Sequence, residues 1–165
     1  HSGEALSVIK EAARRGKKIS VIATLTEPLH QGIKTAKELA KEKIPVTLIN
    51  DLAVGHFIPE VDIVIIGCDA MRKKGFVNKI GTHVIAEEAK HHKKPLYVVG
   101  SHFKFDRRKK LVIEERAASE VYPKKLKGVK IRNPAFDLVA WTYATKVITD
   151  RGIFSPKQIV RLLNG

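Results

Sequence analysis

One aspartate stands at the end of an otherwise apolar segment, where a carboxyl group can take part in proton transfer. The segment DIVIIGCDA (62–70) is typical of a buried strand, and Asp69 follows its apolar run. Because loss of water disfavours the charged carboxylate, this position favours a raised pKa for Asp69, which suits a proton donor. The alternative is structural, since an aspartate here can also cap the turn that follows the strand.

Three further residues have the chemistry of a phosphate site. Asn78 and Lys79 lie in the stretch VNKIGTHVIAEEAK, just before a predicted helix begins. The free N–H groups and the dipole at a helix start favour an anion. Lys104 follows another apolar segment and is a candidate second cation. The alternative for each lysine is a solvated surface charge.

Several other kinds of site are not indicated. The sequence has no Walker A motif and no G-x-G-x-x-G after the first strand, which argues against the usual nucleotide and dinucleotide sites. The seven histidines lack the spacing of metal ligands, so we expect neither a metal nor a cofactor. The single cysteine, Cys68, allows no intrachain disulfide and favours a cytoplasmic protein. Its place inside a strand predicts a small buried apolar residue rather than a nucleophile.

Apolar segments alternate with amphipathic ones, and these are the elements that must position the polar residues. Continuous apolar strands separated by helices predict a parallel sheet covered on both faces. We therefore expect one α/β domain over residues 1–165, with a Rossmann-like, open, mostly parallel sheet and ligands bound at the carboxyl ends of its strands. Thr82 is the expected N-cap of the third helix. The predicted helices span 2–16, 29–43, 82–94 and 155–164, and the predicted strands span 18–25, 44–51, 62–70, 95–101, 129–133 and 146–150.

The chain is strongly basic. Its 31 lysines and arginines outnumber 17 acidic residues, and the formal net charge is +14. This surplus is compatible with nucleic acid, an acidic partner or phosphorylated ligands, and equally with a lysine-rich surface of the thermophilic type. Aromatic and basic residues are not interleaved as they are where single-stranded bases stack. No apolar run is long enough to cross a membrane.

Several motifs together resemble a known family over nearly the whole chain. The chain is similar to the carboxyl-terminal domain of the alpha, beta and delta subunits of eukaryotic translation initiation factor 2B. Archaeal homologues of those subunits, ribose-1,5-bisphosphate isomerase and methylthioribose-1-phosphate isomerase belong to the same family. The motifs are VNKIGT (77–82), GCDAM (67–71), PVTLINDLAVG (45–55), KPLYVVGSHFKF (94–105), NPAFD (133–137) and VITDRGIFSP (147–156).

The resemblance implies roles for individual residues. The isomerases convert a ring-opened aldose phosphate into a ketose through a catalytic cysteine and aspartate. The aspartate corresponds to Asp69, the substrate-binding asparagine and lysine to Asn78 and Lys79, and a further binding lysine to Lys104. The catalytic cysteine corresponds to Ser2.

The chain departs from the isomerase pattern in several places. Ser2 is a poor replacement for a thiol, because its hydroxyl pKa lies far above the value of about 8.5 for a free cysteine. Glu27 occupies the arginine position of the T-E-S-R-P pattern, where a negative charge opposes phosphate. The later D-V-T-P-P pattern reads DLVAW (137–141), and the helical amino-terminal domain of the family is absent from this chain.

These departures lead to two main hypotheses. The favoured one is a non-catalytic, cytoplasmic binding or regulatory subunit that keeps a pocket for a sugar phosphate or nucleotide. It would form a homodimer or higher homo-oligomer and contact an initiation factor 2 subunit, away from any membrane. The alternative is an active aldose–ketose isomerase that works through Asp69 and an altered partner residue. A third, a nucleic-acid-binding module, is motivated only by the net charge.

Overall fold

Helices and strands alternate through most of the chain in the computed structural model, which describes residues 2–165. The helices are α1 (Gly3–Arg14), α2 (Gln31–Lys41), α3 (Val54–Phe57), α4 (Thr82–His91) and α5 (Pro156–Asn164). The strands are β1 (Val21–Thr24), β2 (Val46–Ile49), β3 (Val64–Gly67), β4 (Ala70–Arg72), β5 (Gly75–Lys79), β6 (Leu96–Val99), β7 (Phe136–Ala140), β8 (Lys146–Thr149) and β9 (Gly152–Phe154).

The strands form three hydrogen-bonded groups. β1 and β2 form a parallel pair. β3, β6 and β8 run parallel in that order, and β9 adds an antiparallel edge to β8. β4, β5 and β7 form a separate antiparallel sheet that starts directly after β3. The antiparallel sheet therefore rises from the carboxyl end of β3, where the candidate site lies.

Apolar burial divides the helices between two clusters. The smaller cluster joins Leu6 of α1 and Leu39 of α2 with Ile44. The main cluster contains Phe76 of β5, Val98 of β6 and Ile159 of α5, together with residues of α3 and α4. No helix among residues 2–165 is long and apolar enough to span a bilayer.

The predicted α/β class with parallel strands is confirmed, although the strands are not joined into one continuous ladder. All four predicted helices and five of the six predicted strands are present within a few residues. Ser155 caps α5 through a capping box with Gln158, and Pro156 is the first helical residue, as the sequence predicts. The strand predicted at 129–133 is wrong, because that segment is irregular and no named strand includes it.

Candidate functional site

Ser2 lies against the carboxyl end of β3. It is the N-cap of α1, and its Oγ accepts a hydrogen bond of 3.3 Å from the N–H of Ala5. A Cβ placed on Gly67 would lie 2.5 Å from both the Cβ and the Oγ of Ser2. Because that separation is too short for non-bonded atoms, the residue at the end of β3 must be glycine for Ser2 to pack there. Helix α1 therefore brings the Ser2 hydroxyl to the position where β3 ends.

Asp69 starts the turn from β3 into the antiparallel sheet. Its N–H donates to the carbonyl oxygen of Val77 at 2.8 Å, which fixes the backbone of the residue. The side chain is accessible from a cavity, yet surrounding protein atoms remove enough water to raise the pKa of the Asp69 carboxyl. The positive charge of Lys104 opposes this increase. The carboxyl group is thus suited to both donating and accepting a proton.

Asn78 and Lys79 are at the end of strand β5, two residues before α4, rather than in the first turn of a helix. Gly81 between them and the helix has a φ of +94°, as a tight turn requires. The prediction that Thr82 caps α4 is wrong, because Thr82 is the first helical residue and Gly81 holds the cap position. The Thr82 hydroxyl instead donates to the carbonyl oxygen of Lys79 at 2.6 Å.

Asp137 of β7 occupies the N-terminus of α4. Its Oδ2 accepts hydrogen bonds from the N–H groups of Gly81 at 2.9 Å and His83 at 3.0 Å. These are N–H groups that an external anion would need at that helix end. The Asp137 carboxylate therefore occupies the helix end where the sequence predicts a phosphate. A phosphate would have to be bound by the side chains of Asn78 and Lys79 without these backbone N–H groups. Sequence reasoning missed this role of Asp137, because it depends on the pairing of β7 with β5.

Lys104 is held by two oxygen atoms. Its Nζ donates to a carboxylate oxygen of Glu4 and, at 2.5 Å, to the carbonyl oxygen of Cys68. The other Glu4 oxygen accepts a bond of 3.1 Å from the N–H of Ser101. Glu4 is not among the predicted site residues, although an acidic residue two positions after Ser2, in the first turn of α1, was an available signal. Cys68 is buried, and this burial raises the pKa of its thiol to about 12, so the predicted inert role fits the structure.

The predicted site residues line two cavities that share part of their walls. The smaller cavity, of about 390 Å³, contains four of the five predicted residues. Lys79 lines the adjoining larger cavity of about 610 Å³. Arg116, which the sequence analysis also missed, lines the larger cavity while pairing with Glu120 at 2.6 and 2.8 Å. The four residues of the smaller cavity are Ser2, Asp69, Asn78 and Lys104.

The loop after β1 forms another part of the larger cavity wall. Asp51 accepts hydrogen bonds from the N–H groups of Thr26 at 2.8 Å and Glu27 at 2.6 Å. The Glu27 carboxylate lies 3.0 Å from Nε2 of His30. The Glu27 side chain is therefore held within its own loop by a contact with the His30 ring.

The arrangement is suited to proton transfer on a small, polar, anionic molecule. Asp69 supplies the titrating group, Ser2 and Asn78 supply hydrogen bonds, and Lys79 and Lys104 supply positive charge. Within residues 2–165, no group of three or more histidine, cysteine, aspartate or glutamate side chains could hold a metal ion.

Comparison with known proteins identifies related sequences. The profile of the Initiation factor 2 subunit family matches residues 1–156. Ribose 1,5-bisphosphate isomerase of Archaeoglobus fulgidus is 44% identical over 164 residues, which cover 95% of this chain and 52% of the relative. Methylthioribose-1-phosphate isomerase of Albidiferax ferrireducens is 43% identical over 164 residues, which cover 92% of this chain and 46% of the relative.

Solved structures show the same fold. The 5-methylthioribose 1-phosphate isomerase of Pyrococcus horikoshii has a TM-score of 0.88 with 32% identity, covering 99% of this chain and 50% of that one. The delta subunit of translation initiation factor eIF-2B from A. fulgidus has a TM-score of 0.87 with 38% identity, covering 95% of this chain and 51% of that one. The chain thus spans about half the length of these relatives.

The relatives correct one prediction. The favoured hypothesis of a non-catalytic binding subunit is wrong, because curated relatives at 39–44% identity are named as sugar-phosphate isomerases. The two substitutions behind that hypothesis also leave the cavity in place: Ser2 still lies in the same cavity as Asp69, and Glu27 lies beside His30. With its matching profile, identity and fold, the chain belongs to the Initiation factor 2 subunit family.

Proposed function

We propose that this chain carries part of the active site of an aldose–ketose isomerase that acts on a ribose-type sugar phosphate. The observation that carries the proposal is the convergence of Ser2, Asp69, Asn78 and Lys104 on one cavity. The names of the relatives indicate ribose 1,5-bisphosphate and methylthioribose 1-phosphate as the substrates to test first.

Asp69 is suited to the oxygen-to-oxygen proton transfer that this reaction requires. In an aldose that carries phosphate on O1, isomerisation opens the ring between C1 and the ring oxygen, moves the hydrogen of C2 to C1, and transfers the proton of the C2 hydroxyl to the former ring oxygen. A protonated Asp69 can donate its proton to the ring oxygen as the bond between C1 and that oxygen breaks. The hydrogen of C2 can then pass to C1 with its electron pair, and the Asp69 carboxylate can take the proton of the C2 hydroxyl as the C2 carbonyl forms. The carboxyl group then ends in its starting form. A raised pKa keeps both forms accessible, which favours such a shuttle.

Ser2 has a different role from a catalytic thiol. A hydroxyl group remains protonated near neutral pH and therefore cannot supply the anion that a cysteine supplies. Its position beside β3, at the start of α1, instead suits a hydrogen bond to a substrate oxygen. We expect Ser2 to orient the substrate, with slower turnover than a thiol at the same position gives.

The cationic groups account for recognition of phosphate. Lys79 lies on the wall of the larger cavity, and Lys104 lies at the smaller one beside Asp69. Because Lys104 is paired with Glu4, an incoming phosphate competes with that carboxylate for the ammonium group. Asn78, between the two cavities, can hydrogen-bond a sugar hydroxyl.

The proposal is tested by supplying the protein with each sugar phosphate and measuring ketose formation. Turnover should be lost in Asp69→Asn, which keeps the shape of the side chain but cannot transfer the proton. Asp62→Asn is the matched control, because Asp62 is exposed near the start of the same strand. Absence of turnover with both substrates would overturn the proposal, and normal turnover in Asp69→Asn would remove Asp69 from the mechanism. The homo-oligomer, the nucleotide ligand and the contact with an initiation factor 2 subunit stay predictions.

A further inference from the structure

Glu4 is a charged residue on the wall of the smaller cavity to which the proposed mechanism gives no role. It lies in the first turn of α1, where the helix dipole favours a negative charge. Both of its carboxylate oxygens are engaged, because Oε2 accepts from the Lys104 ammonium group and Oε1 accepts from the N–H of Ser101 at 3.1 Å. The Glu4 carboxylate is therefore fixed at the cavity wall from two sides.

The contact with Glu4 leaves Lys104 with little capacity for a phosphate. An ammonium group has three hydrogens to donate. Lys104 donates one to Glu4 and one to the carbonyl oxygen of Cys68 at 2.5 Å, so one hydrogen remains for a ligand. The Glu4 carboxylate also offsets the positive charge. Lys104 is thus suited to a hydrogen bond with a hydroxyl or ether oxygen rather than to a dianion.

A phosphate could bind Lys104 fully only by displacing Glu4. Displacement would leave the N–H of Ser101 without its acceptor. The Glu4 carboxylate would also stay close to the phosphate, because Glu4 is part of α1. Repulsion between the two anions therefore opposes a phosphate in the smaller cavity.

Lys79 is the better partner for a phosphate. Its side chain lines the larger cavity and is half-buried at the end of β5. Among residues 2–165, no carboxylate forms an ion pair with its ammonium group. Asp69 and Asn78 line both cavities. A sugar whose phosphate lies at Lys79 can therefore place its reacting carbons beside Asp69 and its far end in the smaller cavity.

The carboxylates of the larger cavity do not close it to a phosphate. Asp51 accepts hydrogen bonds from two backbone N–H groups. Glu114 lies 3.6 Å from a guanidinium nitrogen of Arg116. Glu27 is exposed, so solvent and salt screen its charge.

We propose that Glu4 is a specificity-determining residue, which leaves Lys79 to bind the phosphate on O1 and rejects a second phosphate, on O5, from the smaller cavity. The class of ligand, a ribose that carries phosphate on O1, rests on the proposed function. A phosphate group is much smaller than the smaller cavity of about 390 Å³, so charge rather than size causes the rejection. The chain should accordingly favour a sugar with an uncharged group at C5.

The test compares ribose 1-phosphate with ribose 1,5-bisphosphate, which differ only in the second phosphate. Isothermal titration calorimetry measures both dissociation constants in the Asp69→Asn protein, in which we expect no conversion of the ligands. Adding Glu4→Gln keeps the size of the side chain and removes its charge. The bisphosphate should then bind at least about tenfold more tightly, and the affinity for ribose 1-phosphate should change by less than about twofold. Glu11→Gln is the matched control on an exposed position of the same helix and should leave both affinities unchanged.

Two lysine variants locate the phosphates independently of Glu4→Gln, including the case in which that variant does not fold. Lys79→Met should weaken the binding of both ligands, because it removes the cation that binds the phosphate on O1. Lys104→Met leaves the Glu4 charge without its partner, so it should weaken the binding of ribose 1,5-bisphosphate alone.

Four results would each overturn the inference. They are an absence of tighter bisphosphate binding in Glu4→Gln, an equal gain for both ligands in that variant, a gain of the same size in Glu11→Gln, and weaker binding of ribose 1-phosphate in Lys104→Met. The affinities are measured without turnover. The expected affinity changes in a protein that never forms a ketose would therefore refute only the proposed isomerase function.

Discussion

Replacing Asp137 by alanine should weaken the attachment of α4 to the antiparallel sheet. The change removes the acceptor of two backbone N–H groups, those of Gly81 and His83, at 2.9 and 3.0 Å. One carboxylate oxygen accepts both hydrogen bonds, and it is partly exposed. Its contribution to the free energy of unfolding is therefore closer to that of a strong N-cap than to that of two independent charged hydrogen bonds. The loss of unfolding free energy is then about 2 kcal/mol. For a chain of 165 residues this lowers Tm by about 4–8 °C.

The Asp137→Asn variant separates the charge from the hydrogen bonds. Its amide oxygen can still accept from both N–H groups, so only the interaction of the negative charge with the helix dipole is lost. That interaction contributes about 0.3–1 kcal/mol, and the loss of stability should be correspondingly smaller. Urea unfolding followed by circular dichroism measures both variants, with exposed Asp62→Ala as the control. A loss below about 0.5 kcal/mol in Asp137→Ala, or equal losses in both Asp137 variants, would refute the capping role.

Three further changes test the site. Gly67→Ala places a Cβ 2.5 Å from Ser2, so we expect turnover to fall sharply because Ser2 is displaced. The circular dichroism spectrum should stay close to that of the wild type. Undiminished turnover would contradict the close packing of Ser2 on Gly67. In Ser2→Cys, the new thiol should react with iodoacetamide well before Cys68, because a helix start lowers a thiol pKa whereas burial raises the pKa of Cys68 to about 12. Mass spectrometry of the peptides measures the labelling of each cysteine. Faster labelling of Cys68 would contradict the prediction. Burial raises the pKa of Asp69, so the folded state binds its proton more tightly than the unfolded state, and the stability contributed by this group is lost as pH rises. The stability of Asp69→Asn relative to wild type should therefore increase as the pH rises above about 4, measured by urea unfolding. A difference in stability that stays constant with pH would show that the pKa of Asp69 is not raised.

The strands that the sequence predicted correctly are those with continuous apolar runs. β3 and β6 are buried on both sides, so their residues carry a strong pattern. The hairpin of β4 and β5 was missed because MRKKGF has the composition of an exposed turn, and yet Arg72 within it is buried beside Asp106 at 3.3 Å. The segment 129–133 alternates like a strand but pairs with no named strand, and Asn133 instead bonds to Glu115.

The site was predictable only in part, and for a physical reason. Asp69 was identified from its position after an apolar strand, but its proximity to Ser2 was suggested only by the family resemblance. Nothing in the local sequence places Glu4 on Lys104, because the contact joins residues 100 positions apart. Asp137 was missed for the same reason, since its partners lie 54 and 56 positions away.

The two aspartates that hold backbone N–H groups beside the cavity have a consequence for how the protein opens. Asp51 reaches Thr26 and Glu27 from 25 and 24 positions away, and Asp137 reaches the start of α4 from β7, the strand that pairs with β5. The loop after β1 and the start of α4, which both line the larger cavity, are therefore held in place by hydrogen bonds between parts of the chain that are distant in sequence. Amide hydrogens at these positions should exchange with solvent only when β2 or β7 detaches, and not through independent loop motion. The cavity should then form late in folding and disappear in a single cooperative step.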